Sequence, residues 1–405
     1  MKRLSKKSFI GLFVFMMLSS TAAFAQEPIK LGMPNVMSGG GAPYAVPMVK
    51  GANVAVEEIN KKGGVLGRPL ELIVRDTKGK SELASRAAEE LISKDKVDFL
   101  TGTIFSSCAL AISAVANKHK VFFLDCGCRA TKLTEEEGHR YVASISVETA
   151  YEGRAIAAFD KDTPNKTYWI IGPDYAYGRE AADYFKKAIK QIKPQSIILG
   201  ETWVKMEETE FTAAIGAIVR AKPDMVVSTL VTTPFQAFAK QAQPYGIFKK
   251  PVSAIPIVGH TELLRPLGRE YPEGVLCSSK YIEGFLNTPA AKSFETLYLK
   301  STGDSFVPAF AADGYMLMLV FKAAIEKAGK VETEAVIDAI EGLTLDTPKG
   351  KLIMRACDHK CNIGEWWGIT KQDKKSGYAV LTKVKYIAAD DLMHTCDEVM
   401  ESRKK

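Results

Sequence analysis

Short apolar strands and amphipathic helices alternate almost without interruption along this chain, and that order constrains the fold more than any single motif. Strand-like runs read Ile29 to Met33, Leu70 to Arg75, Asp98 to Thr101, Val121 to Leu124, Thr167 to Ile171, Ser196 to Glu201, Met225 to Thr229, Val252 to Ile257 and Val275 to Ser279. Helical periodicity fills the gaps, as in Val46 to Lys61, Glu82 to Lys94, Glu180 to Gln191, Glu210 to Ala221 and Ala309 to Ala328. Parallel strands need crossover connections, so a βαβα order predicts an α/β protein with doubly wound parallel sheets covered by helices on both faces. Ligands on such sheets bind beyond the carboxyl ends of the strands.

A chain of 405 residues exceeds what one compact core usually serves, so two lobes are expected. The pattern restarts near Ser146 to Thr149, where a new helix (Thr149 to Asp160) precedes a new strand. The long helices that run on through Leu343 have too few strands of their own and are expected to complete the first lobe. The expected division is residues 26–146 with 277–346 for one lobe and 147–276 with 347–405 for the other, joined by a hinge of several crossings.

Residues 1–25 read as an export signal: Lys2, Arg3, Lys6 and Lys7 precede the apolar run Phe9 to Leu18, and Ala23-Phe24-Ala25 suits a signal peptidase. Cleavage after Ala25 would place the mature chain in the periplasm, and with no Cys just after the apolar run a lipid tether is not expected. Losing four basic residues lowers the formal net charge from +7 to +3, which removes the compositional case for nucleic-acid binding. Nothing later in the chain has the length and hydropathy of a membrane span, so no direct membrane insertion is expected.

Seven cysteines in an exported chain predict at least one disulfide. Cys357, Cys361 and Cys396 cluster near the C-terminus, and a bridge from Cys357 to Cys396 or Cys361 would pin the tail. Cys108 to Cys126 or Cys128 is a second candidate, since Cys126-Gly127-Cys128 is poorly spaced to bridge to itself. The separated double pairs of a structural zinc site are absent, and the five histidines are scattered, so neither metal nor cofactor is expected. No Gly-x-Ser-x-Gly, Gly-x-x-x-x-Gly-Lys-Ser/Thr or His-Glu-x-x-His motif occurs, and an enzyme is not expected.

Residues at strand ends supply the candidate site. Gly39 to Gly41 allow close backbone approach to a ligand, and Tyr44 offers an aromatic face with a hydroxyl. Ser106 and Ser107 open a helix near Ala109, where free N–H groups suit an anion, although a Ser there also serves as an ordinary cap. Cys128 and Arg129 follow the strand Val121 to Leu124; Arg129 reads either as a bidentate carboxylate clamp or as a solvated loop residue. Thr232, near the end of the strand Met225 to Thr229, reads as a contact or as a cap.

Ser38-Gly39-Gly40, Tyr44, Gly51-Ala52, Ala55 to Asn60 and Gly63 to Arg68 together resemble the opening of the leucine/isoleucine/valine-binding protein family, the type I periplasmic solute-binding proteins of ABC importers. Matching stretches continue at Asp76, Gly102 to Ser107, Leu133-Thr134, Asp174 to Gly178 and Asp313 to Tyr315, so the resemblance covers nearly the whole mature chain. It implies a two-lobed protein that closes on a small carboxylate, whether a branched-chain or other amino acid or an aromatic or organic acid, and presents it to permease subunits in the inner membrane, acting as a monomer. It also implies that Ser106 contacts the ligand's carboxylate and that Tyr177 is a cleft tyrosine. A periplasmic sensor and a binder of amides or other uncharged solutes are the alternatives. The chain departs from the amino-acid-binding pattern at His260 and Thr261, where relatives place an acidic partner for the α-ammonium, with Glu262 displaced into the following helix. A neutral His is a poor partner for a desolvated cation, so an acid without an amino group competes with an amino acid.

Overall fold

In a computed structural model that describes residues 26–254 and 258–404, two parallel sheets form the cores of two lobes. The export signal expected at residues 1–25 and the end of the run Val252 to Ile257 lie outside the described residues. The first sheet contains β1 (Ile29–Asn35), β2 (Leu70–Asp76), β3 (Phe99–Gly102), β4 (Phe123–Asp125) and β5 (Val142–Ser144), in the spatial order β2-β1-β3-β4-β5. All of its pairings are parallel. Its connections run through α1 (Ala42–Lys61), α2 (Ser81–Ser93) and α3 (Ser106–His119). Burial on both faces explains why β3 and β4 are buried along their whole length.

After β5 the chain passes through α4 (Thr149–Asp160) into β6 (Thr167–Pro173), α5 (Ala176–Ile192), β7 (Ile197–Val204), α6 (Thr212–Ala221), β8 (Met225–Ser228), α7 (Thr232–Ala242), β9 (Val252–Ala254), α8 (Thr261–Leu267) and β10 (Val275–Ser279). It then returns to the first lobe as α9 (Pro289–Thr302), α10 (Ala309–Ala328) and α11 (Thr333–Ile340), and α10 lies along α1. The hairpin of β11 (Thr344–Thr347) and β12 (Gly350–Ile353) stays beside α9 and α10. Finally β13 (Glu365–Gln372) and β14 (Ala379–Ile387) add antiparallel strands to the second sheet, whose order is β14-β13-β10-β9-β8-β6-β7, before α12 (Cys396–Ser402). The chain thus passes between the sheets after β5, after β10 and after β12.

Two glycines let α1 and α10 touch backbone to backbone. A Cβ on Gly314 would lie 1.9 Å from the Met48 carbonyl oxygen, and one on Gly51 would lie 2.0 Å from that of Ala311. This close seam brings Tyr44 of α1 and Phe310 of α10 into a stack with ring centroids 4.8 Å apart.

Of the expected disulfides, Cys357–Cys396 is formed and ties α12 to the loop between β12 and β13. The expected link from Cys108 to Cys126 or Cys128 is not: all three are separate buried thiols. Cys126 packs against the sulfur of Met48 in the main core, whereas Cys108 and Cys128 belong to a second apolar cluster beneath α3. Cys361 is also a free buried thiol. The tail is held further by Arg403, which donates to the carbonyl oxygens of Thr134 (2.7 Å) and Cys357 (3.2 Å), and by His394 against Glu135 at 2.8 Å.

Candidate functional site

Strand order reverses between β1 and β3 in the first sheet and between β6 and β8 in the second, and the elements leaving these four strands meet at one cavity. About 320 Å³ of space lies among Tyr44, Ile104, Phe105, Ser106, Gly127, Arg129, Tyr175, Tyr177, Val231 and Phe310. The loop after β3 is set by Asn35 at the end of β1, whose side-chain oxygen accepts from Val36 N–H, Ile104 N–H and the Thr103 hydroxyl. The loop after β4 is set by Asp125, which accepts from Cys128 N–H at 3.0 Å and from the Ser144 hydroxyl at 2.9 Å. Burial raises the Asp125 carboxyl to about 7, against the lowering effect of these donors. Gly127 is required there, because a Cβ would lie 2.4 Å from the Thr103 carbonyl oxygen.

Three helices, α3, α5 and α7, point their N-termini at this cavity through the residues that precede or begin them: Phe105 and Ser106, Tyr175 and Tyr177, and Val231. None of the three is closed by a side-chain cap. The dipoles of these helix N-termini, which no side chain caps, make the cavity a place for negative charge. Ser106 accepts from the Arg129 N–H at 3.3 Å, which leaves its own hydroxyl proton for another acceptor.

Arg129 lines the cavity, but its guanidinium is already committed. Nη2 lies 2.5 Å from Glu365 of β13 and Nη1 contacts Glu152 of α4, all three side chains being buried. Burial alone would weaken the charged guanidinium; Glu152 and Glu365 outweigh that and hold it charged. Burial also raises the Glu152 carboxyl to about 8 in spite of Arg129, and the second oxygen of Glu152 has no hydrogen-bond partner among the described residues. Arg129 is therefore neither the solvated loop residue nor a free clamp; it is an ion-pair centre joining β4's loop to the second lobe.

Tyr177 lines the cavity and its buried hydroxyl has no partner among the described residues. Burial, followed by the Glu152 charge, keeps it in the phenol form. Thr232 begins α7 with a left-handed backbone (φ +47°), a costly conformation for a β-branched residue. That geometry directs its N–H to the Tyr44 phenol of the other lobe, while its hydroxyl is buried and unpartnered among the described residues. Phe105 and Tyr175 also meet across the lobes, with ring centroids 6.1 Å apart.

His260 is fully buried and stands edge-on to Phe310 and Tyr44, at 5.2 and 6.0 Å between ring centroids. Burial and then the Arg129 and Lys280 charges push its pKa well below the usual histidine value. Glu262 is turned away to the start of α10, where it accepts from Ala309 N–H (3.0 Å) and Phe310 N–H (3.2 Å). Behind His260, Asp313 sits between Lys280 at 2.7 Å and Lys349 at 2.9 Å, all buried. Ser107 and Thr261 are partly exposed and, like the buried Thr232 and His260, do not line the cavity, and Cys128 faces the core cluster beneath α3.

Sequence reasoning passes over Phe310, Tyr175, Val231, Glu152 and Glu365. Glu365 is 236 residues from its partner Arg129, so no spacing links them. Away from the cavity, Glu135, Glu148 and His394 come within metal-ligand distance of one another, but Lys360 already pairs with Glu148 at 2.6 Å.

The family model described as "Periplasmic binding protein" matches residues 28–374. A Pseudomonas aeruginosa leucine-, isoleucine-, valine-, threonine- and alanine-binding protein is 25% identical over 351 residues, which cover 84% of this chain and 90% of the relative. Among solved structures, the fold is similar to that of an ABC-transporter solute-binding protein from Rhodopseudomonas palustris in complex with 3,4-dihydroxybenzoic acid, with TM-score 0.77, 21% identity, and coverage of 89% of this chain and 98% of that one. It is equally similar to a branched-chain amino-acid transporter substrate-binding protein from Streptococcus pneumoniae in complex with isoleucine, with TM-score 0.78, 20% identity, and coverage of 89% and 99%.

Proposed function

This chain belongs to the periplasmic binding protein family, and on that premise we propose that it encloses a small carboxylate between its lobes and delivers it to an ABC permease in the inner membrane. The observation that carries the ligand class is the convergence of the N-termini of α3, α5 and α7 on one cavity walled by Tyr44, Phe105, Tyr175, Tyr177 and Phe310. Helix N-termini present N–H donors and partial positive charge, and in a buried cavity those donors gain most from an anion. The rings take an apolar body. Both amino acids and aromatic acids, the ligands named for the similar structures, carry the required group.

Ser106 is our choice for the hydroxyl that meets the carboxylate, with Tyr177 and Thr232 supplying donors from the second lobe. Members of this family bind solutes rather than transform them, and we read this chain the same way. We place it in the periplasm after removal of the first 25 residues, and no described helix is long and apolar enough to cross a membrane.

Calorimetric titration with benzoate and with benzamide, its neutral counterpart, tests the ligand class. The acid is expected to bind at least about tenfold more tightly, since hydrogen bonds to a charged acceptor contribute roughly 1.5–3 kcal/mol. An amide that binds as well as the acid overturns the proposal.

A further inference from the structure

Among the described residues that line the cavity, only Phe105 and Tyr175 keep part of their surface in solvent; the other walls, from Tyr44 to Phe310, are buried. One of the two comes from each lobe. Phe105 precedes α3 and Tyr175 precedes α5, and their ring centroids lie 6.1 Å apart with the planes tilted by 57°. The way from solvent to the buried walls therefore runs past these two rings.

Each ring is seated by its own lobe. Phe105 lies on two glycines: a Cβ on Gly79 would come within 2.6 Å of the ring and one on Gly41 within 2.9 Å. Asp76 ties together the loops that carry these glycines, accepting from Met37 N–H at 2.9 Å, Lys78 N–H at 2.8 Å and the Ser38 hydroxyl at 2.6 Å. Phe105 is thus fixed in place. Tyr175 has an extended backbone ahead of α5, its N–H donates to the Pro173 carbonyl at 3.0 Å, and its ring centroid lies 5.9 Å from that of Tyr177, a buried cavity wall.

Contacts between the lobes weaken toward this rim. Inside, Arg129 pairs with Glu152 and Glu365, and all three side chains are buried. At the rim Phe105 and Tyr175 meet through their rings, and an aromatic pair of this kind shifts an equilibrium by no more than about tenfold. A rim so held parts and recloses while the buried ion pairs persist. A ligand that reaches past the closed rings keeps them apart and forfeits their contact. We propose that Phe105 and Tyr175 form the gate of the cavity and determine its specificity for length: they meet over a short carboxylate, are held apart by a longer one, and control how fast either leaves. This rests on the carboxylate reading above and goes beyond it by naming the pair that selects among carboxylates by length.

The test uses the full mature chain with benzoate and 4-butylbenzoate as probes, read by calorimetry and by stopped-flow release. In the native protein benzoate is expected to bind about tenfold more tightly than its butyl derivative, the size of the ring contact forfeited. In Phe105→Ala and Tyr175→Ala that ratio should fall below about threefold, and benzoate should leave about tenfold faster. Tyr175→Phe keeps the ring and should keep the native ratio and rate. Phe105→Leu, which should lose both, serves where the alanine variant does not fold. A reading without ligand comes from Ser106→Cys, which puts a thiol on the cavity wall: adding Tyr175→Ala should speed its modification by a bulky maleimide about tenfold.

Equal losses of affinity for both acids in the alanine variants, with the ratio unchanged, would overturn the inference by making the two rings ordinary walls. So would a thiol that is modified at the same rate with and without the Tyr175 ring. If benzamide binds as well as benzoate, or neither acid binds, the carboxylate reading falls, while the thiol measurement still decides the gate.

Discussion

Ser106 and Arg129 face the same cavity, yet removing each should have opposite signatures. Ser106→Ala deletes one hydroxyl donor from the end of α3, so the fold should hold while carboxylate affinity falls roughly tenfold to a hundredfold. Arg129→Ala leaves Glu152 and Glu365 buried without their cation and should cost about 3–5 kcal/mol of stability, read as a large drop in melting temperature before any ligand is added. Glu152 adds a pH signature. Its carboxyl is raised to about 8 by burial, so the folded state binds more protons than the unfolded one and stability should fall as pH rises from about 4.5 through 8. Melting curves across that window should slope downward in the native protein and less steeply in Glu152→Gln, the carboxyls of Asp125 and Glu262, also raised by burial to about 7, keeping part of the slope; equal slopes would place the charge elsewhere. The strand-end rule makes Tyr44, Ser106, Arg129 and Tyr177 legible in the sequence as cavity residues, since each follows a readable strand. Cys128 misleads because neighbours in an extended loop face opposite ways: Arg129 faces the cavity and Cys128 the core. Glu152 and Glu365 carry no signal, because pairing across lobes leaves no trace in local spacing.

Among the elements, the α1 and α10 pair controls the cavity wall through its glycines. Gly314→Ala would drive a methyl into the Met48 carbonyl and should cost about 1–3 kcal/mol as the helices separate. Tyr44 and Phe310 ride on these two helices, so ligand affinity should fall with stability. Gly216→Ala in α6 meets nothing closer than the Arg220 guanidinium at 3.4 Å and should instead stabilise by roughly 0.5–1 kcal/mol, as expected for a helix-interior glycine. Thermal unfolding of the two variants side by side separates seam packing from propensity; similar shifts would remove the seam argument. Most elements were readable because their periodicities are long, as in α4, whose span Thr149–Asp160 coincides with the expected helix. The three-residue β5 is too short to show a period, and α8 is one seven-residue turn pair containing Pro266. Strands β13 and β14 are antiparallel and partly solvent-facing, so they lack the continuous apolar run that marks the parallel strands.

For the whole molecule, the question is what holds the lobes against each other. Besides the Arg129 ion pairs, the contacts that cross between them near the cavity include the Thr232 N–H to the Tyr44 phenol, Phe105 against Tyr175, and Glu262 of α8 against the start of α10. The third reaches the cavity only through the backbone N–H of Phe310, so its removal probes closure without deleting a wall side chain. If the lobes open without ligand, Glu262 caps α10 only in the closed state, and its removal shifts the closing equilibrium by about 0.5–2 kcal/mol, the usual range for a lost cap. Apparent affinity scales with the fraction of protein able to close, so Glu262→Ala should weaken carboxylate binding by roughly threefold to thirtyfold. Scattering should show the native protein contracting on addition of ligand, and the variant needing more ligand to reach the same radius. If the contact instead persists in both states, Glu262→Ala will lower the melting temperature of the unliganded protein and leave the dissociation constant where it was. That pattern, or scattering profiles that do not change with saturating ligand, would make the two lobes a rigid frame and move the selectivity of the site entirely onto its walls.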